Sequence, residues 1–163
     1  MKELEFICRL TEYESEAELK DADRNLLMEA RDAMKSAYAP YSNFKVGAAV
    51  LLENGKTIRG NNQENASYPV GLCAERVAVF SAGANYPGIA PMAIAITASS
   101  TDFSVDSPVP PCGACRQALA EYEHLSGKPM RLILAGASGK IRIAESVDSL
   151  LPFQFNAADL KRL

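Results

Sequence analysis

The chain has 163 residues, 48% of them hydrophobic and 23% charged, and carries a net charge of −3. That composition suits one globular domain with a real core and offers no broad basic surface for a polynucleotide backbone. No apolar run approaches the length of a membrane span, and MKELEFICRL is too interrupted by charge for a secretory leader, so the expected location is cytoplasmic, with the four cysteines reduced.

Along the chain, Leu4, Phe6, Cys8 and Leu10 alternate with polar neighbours and predict a short strand, followed by a solvated acidic link. A first helix is predicted over about residues 22–38, capped by Asp21 or Asp23 and ended by Pro40. Residues 46–60 read as a hairpin turning at Asn54-Gly55. A second helix is predicted over about residues 73–83, then a buried strand at MAIAITAS. A Pro-rich loop leads into a third helix with Cys112 in its first turn. A strand pair flanks Ser138-Gly139, and the tail forms one or two short helices. Strands alternating with helices, together with two hairpins, predict an α/β fold: a three-layer α/β/α sandwich on a mixed sheet of about five strands. Residues 21–163 read as one domain behind an extension, 1–20, of unknown role.

The stretch VGLCAERVAVFSAG puts a thiol, a carboxylate and a guanidinium at the start of an apolar helix. A plain core helix has no use for them. Further on, Pro111-Cys112 and Cys115 form P-C-x-x-C at another helix start. Helix N-termini expose unpaired N–H groups and favour thiolates. Three sulfurs from two such termini can hold Zn²⁺ and leave its fourth tetrahedral position open, as catalytic sites do. His124, the single histidine, lies nine residues past Cys115 and too far along its helix to join them, whereas Cys8 stays open as a ligand or, preferably, a small buried hydrophobe. Glu75 fits beside the metal as a proton carrier, and Arg76 as a counter-charge to sulfurs that leave the centre net negative.

C-A-E-R with P-C-G-A-C-R-Q resembles the zinc nucleoside deaminases, in which a Glu that is not a ligand acts as acid and base. YAPYSNFKVGAA, GNNQENASY and LLPFQF are each similar to segments of the small homotetrameric cytidine deaminases, and the likeness covers about residues 22–160. It implies zinc on Cys73, Cys112 and Cys115, proton transfer by Glu75, and Asn62 and Glu64 on the ribose. It also implies Phe44 against the pyrimidine and the Ala74 backbone N–H on the base carbonyl. Tyr68 and Phe155 would complete pockets in neighbouring subunits. The implied activity is hydrolytic deamination of cytidine, and of deoxycytidine, in pyrimidine salvage by a homotetramer with shared active sites. A deaminase of a nucleoside-like antibiotic or of polynucleotide bases is one alternative. A non-catalytic zinc module, which would want four protein ligands and no Glu75, is the other. Blander roles also remain: Phe44 as strand-edge core, Asn62 and Glu64 as a polar loop, Phe155 as an anchor of its own tail.

Overall fold

The computed structural model describes residues 1–160, so the last three residues of the predicted tail lie outside it. A six-stranded mixed sheet, ordered β1-β6-β5-β4-β2-β3, forms the middle layer. Its strands are β1 (Thr11–Tyr13), β2 (Phe44–Leu52), β3 (Thr57–Asn61), β4 (Pro91–Ser100), β5 (Arg131–Ala135) and β6 (Ile141–Ala144). Only the β4–β5 pair is parallel. The helices are α1 (Asp21–Met34), α2 (Ala74–Asn85), α3 (Gly113–Ser126) and the short α4 (Ala157–Leu160).

The layering follows from two apolar faces on the sheet. Alternate residues of a strand face opposite ways. Ala49, Ala93, Ala95, Ile133 and Ile143 meet Leu26, Leu27 and Ala30 of α1 on one side. Val50, Ile94, Ile96, Leu132 and Leu134 meet Ala78 and Val79 of α2 and Leu119 of α3 on the other. The expected α/β/α sandwich is therefore present, with six strands where about five were expected.

The N-terminal strand sits later than the alternation predicts. Residues 1–10 carry no regular structure, and Leu4, Phe6, Ile7, Cys8 and Leu10 are exposed. The pairing falls instead on Thr11–Tyr13, set against Ile143, Arg142 and Ile141. Lys140 and Arg142 both bond the Glu12 carboxylate at 2.8 Å, a cross-strand charge match that supports this register. Cys8 is thus neither core nor close to the other cysteines.

Helix α1 also ends earlier, at Met34. The chain leaves it so that Tyr38 N–H donates to the Asn62 carbonyl at 3.0 Å and Glu64 N–H donates to the Tyr38 carbonyl at 2.9 Å. Two tertiary backbone bonds replace the last helical turn and tie residues 38–44 to the segment after β3.

Close approach of α2 to the sheet depends on Gly60. A Cβ there would lie 2.5 Å from the Ala74 carbonyl oxygen and 2.5 Å from the Ala78 nitrogen, both backbone atoms. Gly60→Ala is expected to cost about 2–3 kcal/mol as α2 is pushed outward. Thermal unfolding should show this as a melting temperature lower by about 5–10 °C. An unchanged melting temperature would contradict the packing described.

Candidate active site

Helices α2 and α3 point their N-termini at one place. Cys73 is the N-cap of α2 and Cys112 the N-cap of α3, both in extended backbone, and neither side chain makes a capping hydrogen bond. Cysteine is not a favoured cap residue; Ser, Thr, Asp or Asn would satisfy the first-turn N–H groups better. The sulfurs are left free to face each other. Cys73 Sγ lies 3.9 Å from Cys112 Sγ, and all three sulfurs of Cys73, Cys112 and Cys115 fall within 4.8 Å of one another. Zn–S bonds of about 2.3 Å in a tetrahedron separate sulfurs by about 3.8 Å, so the donor set fits zinc in chemistry and spacing.

Charge is arranged to match. Arg76 Nη2 sits 3.7 Å from Cys73 Sγ. The Cys73 thiol is pulled down to about 5 by a hydrogen bond from the Cys115 thiol and by the Arg76 guanidinium. The Cys115 thiol moves the opposite way, because it serves as donor to Cys73 and is buried. A divalent cation held by the three sulfurs would deprotonate them.

Glu75 is 5% exposed and occupies the first turn of α2, one residue past Ala74. Because Cys73 is the cap rather than a helical residue, the i, i+2 spacing does not set the two side chains on opposite faces. Burial raises the carboxyl above the ordinary range, and the charge on Cys73 raises it further. Cys73, Cys112 and Glu75 all line a cavity of about 530 Å³. Cys115 is fully buried and Ala74 is buried too, and neither is among the lining residues.

The same cavity is lined by Phe44, Asn62, Glu64 and Tyr68. Asn62 follows the last residue of β3 and uses its amide on β2: Val46 N–H donates to Oδ1 at 2.8 Å, and Nδ2 donates to the Phe44 carbonyl at 2.9 Å. Glu64 Oε2 accepts the Tyr41 N–H at 2.9 Å and the Ser42 N–H at 3.3 Å, and the Ser42 hydroxyl donates to Oε1. That hydroxyl, followed by the two N–H groups, holds the Glu64 carboxyl below its usual range. Tyr68 is 75% exposed at the rim, its ring 6.0 Å from that of Tyr41. Phe155 is 58% exposed and does not line this cavity. His124 is exposed in the last turn of α3.

Two features escape a reading by motif. Phe103 stacks on Phe44 with ring centroids 6.1 Å apart and planes 19° apart, held in place by Asn43 Nδ2 donating to the Asp102 carboxylate at 3.2 Å. Ser42 and Tyr41, by contrast, stand inside the YAPYSNF segment, and an S-N-F turn before a strand is the signal that could have marked them. Val109 and Pro110 bring the Pro-rich loop to the cavity wall beside Cys112.

The family model for the cytidine and deoxycytidylate deaminase zinc-binding region matches residues 20–126. A cytidine deaminase of Halalkalibacterium halodurans is 44% identical over 139 residues, 85% of this chain and 98% of its own length. One from Sporosarcina psychrophila is 40% identical over 136 residues, 83% of this chain and 92% of its own. The crystal structure of cytidine deaminase from Burkholderia pseudomallei superposes with a TM-score of 0.69 at 41% identity, covering 84% of this chain and 100% of that one. With matches this long and this close to full length on the relatives' side, the chain belongs to the cytidine and deoxycytidylate deaminase family.

Proposed function

We propose that this protein hydrolyses cytidine, and also deoxycytidine, to the corresponding uracil nucleoside and ammonia, using one Zn²⁺ per subunit held by Cys73, Cys112 and Cys115. The observation that carries the reading is the convergence of three sulfurs from two helix N-termini beside Glu75, a buried carboxylate outside the sulfur cluster. When bound, zinc is the Lewis acid that makes water reactive at neutral pH.

The chain's own groups do the rest. Glu75, with its carboxyl raised by burial, takes a proton from the attacking water and returns it to N3 of the ring as C4 is attacked. A second proton passes through Glu75 to the 4-amino nitrogen, which leaves as ammonia. Arg76 offsets negative charge on Cys73. Phe44 supplies an apolar wall for the flat base. The Ala74 N–H, unpaired by the helix because it belongs to the first turn of α2, meets the base carbonyl. Asn62 keeps a second amide N–H after bonding Phe44, and Glu64 keeps free lone pairs, so each can take a ribose hydroxyl from a rigid position.

Assembly and location belong to the same reading. Tyr68 and Phe155 are exposed aromatics that would complete pockets across subunits of a cytoplasmic homotetramer. Residues 21–163 constitute the catalytic domain, and 1–20 are an added extension of which Thr11–Tyr13 join the sheet edge.

Ammonia release from cytidine, deoxycytidine, a nucleoside-like antibiotic and a single-stranded oligonucleotide, with zinc content measured alongside, tests the substrate. Turnover is expected with the two free nucleosides. Stoichiometric zinc with no deamination of any nucleoside would favour the non-catalytic module instead. Sedimentation should give a tetramer; a stable, active monomer refutes shared pockets.

A further inference from the structure

Arg116 and Gln117 end the P-C-G-A-C-R-Q run and have no part in the reaction as derived. Arg116 lies one residue past Cys115 on α3 and is half-buried. Its Nε donates to the Pro111 carbonyl at 2.8 Å and its Nη1 to the Leu150 carbonyl at 3.0 Å. Gln117 Nε2 donates to the Phe155 carbonyl at 2.8 Å. Both Arg116 acceptors belong to buried residues, where a carbonyl deprived of its donor is costly.

The first bond fixes more than a carbonyl. The Pro111 carbonyl and the Cys112 nitrogen share one rigid peptide plane, and proline fixes φ on the other side of Pro111. Holding that oxygen therefore aims the Cα of Cys112, and with it the sulfur. The second and third bonds fix the start and the end of residues 150–155. One guanidinium fork reaches two carbonyls that are far apart in sequence, which an ammonium on a flexible stem does not reproduce.

We propose that Arg116 and Gln117 staple residues 150–155 to the loop that carries Cys112, so that the tail is a working part of the metal site. Arg116 is a positioning residue for Cys112, and Gln117 one for Phe155. This rests on the reading of Cys112 as a zinc ligand. Because coupling is reciprocal, zinc binding steadies the tail and a freed tail loosens the zinc.

Two measurements on the full-length protein test this: the rate at which zinc passes to a chromogenic chelator, and hydrogen exchange of residues 150–155. Arg116→Ala should release zinc roughly 10–100-fold faster, the usual cost of losing a supporting contact, and exchange the tail faster. Arg116→Lys, which keeps the charge but reaches at most one carbonyl, should fall between. Gln117→Ala, which frees only the Phe155 end of the tail, should speed exchange near Phe155 and quicken zinc release less than Arg116→Ala does. Ile143→Ala, a core change on the α1 side of the sheet, should alter neither despite lowering stability. Zinc release at the wild-type rate in both Arg116 variants, or equal acceleration by Ile143→Ala, overturns the proposal. Should the wild-type protein hold no zinc, the ligand reading falls, and tail exchange alone decides the staple: faster in Arg116→Ala upholds it, unchanged sinks it.

Discussion

Glu75→Gln leaves zinc content and fold intact while kcat for cytidine drops about 10²–10⁴-fold, the range expected for loss of a positioned acid–base group. The change is isosteric, and Glu75 does not belong to the sulfur cluster, so nothing that grips the ion is removed. Burial already works against the charged carboxylate, so replacing it with a neutral amide does not add an uncompensated charge to the interior. The melting temperature should hold or rise. Zinc analysis, thermal unfolding and steady-state kinetics together read all three effects. Turnover near wild type would remove Glu75 from the reaction, and loss of zinc would make it a ligand rather than a proton carrier.

Cys112→Ala abolishes both the metal and the activity. Cys112 is the exposed member of the cluster and an N-cap without a capping bond, so its side chain contributes little to packing or to α3. The substitution is therefore a test of ligation with a small folding penalty. Two thiolates cannot fill a three-ligand site, and affinity should fall by more than the roughly 10–100-fold that a lost supporting contact costs. The expected result is protein isolated folded, without zinc, and with ammonia release at the buffer background. A variant that keeps stoichiometric zinc would mean another side chain completes the site; zinc-free protein with full turnover would mean the ion is not needed.

The two experiments fail in different ways. Glu75→Gln separates proton transfer from metal binding, whereas Cys112→Ala removes the metal from a site whose carboxylate is untouched. A non-catalytic zinc module would pass the second and be silent in the first. Only a deaminase with this division of labour gives both results.

Local features of the fold were legible in the residues alone. Asn54-Gly55 turns the chain between β2 and β3, and the glycine takes φ +81°, as a tight hairpin needs. Apolar runs became β4 and β5 because strands buried on both faces carry no alternation. The zinc cluster was legible because its parts sit at two helix starts, where cap geometry and dipole act within a single turn. Which distant segments meet came from the folded arrangement instead. Whether residues 4–10 or 11–13 join the sheet depended on Lys140 and Arg142, far along the chain. The end of α1 depended on Asn62 and Glu64, and the seat of Phe44 on Phe103. The grip of Arg116 on Leu150 spans 34 residues. Periodicity and caps report short-range hydrogen bonding and the side on which a chain is apolar. They do not name a partner, because partners are chosen by complementary charge, shape and unsatisfied carbonyls once the sheet has brought distant segments together.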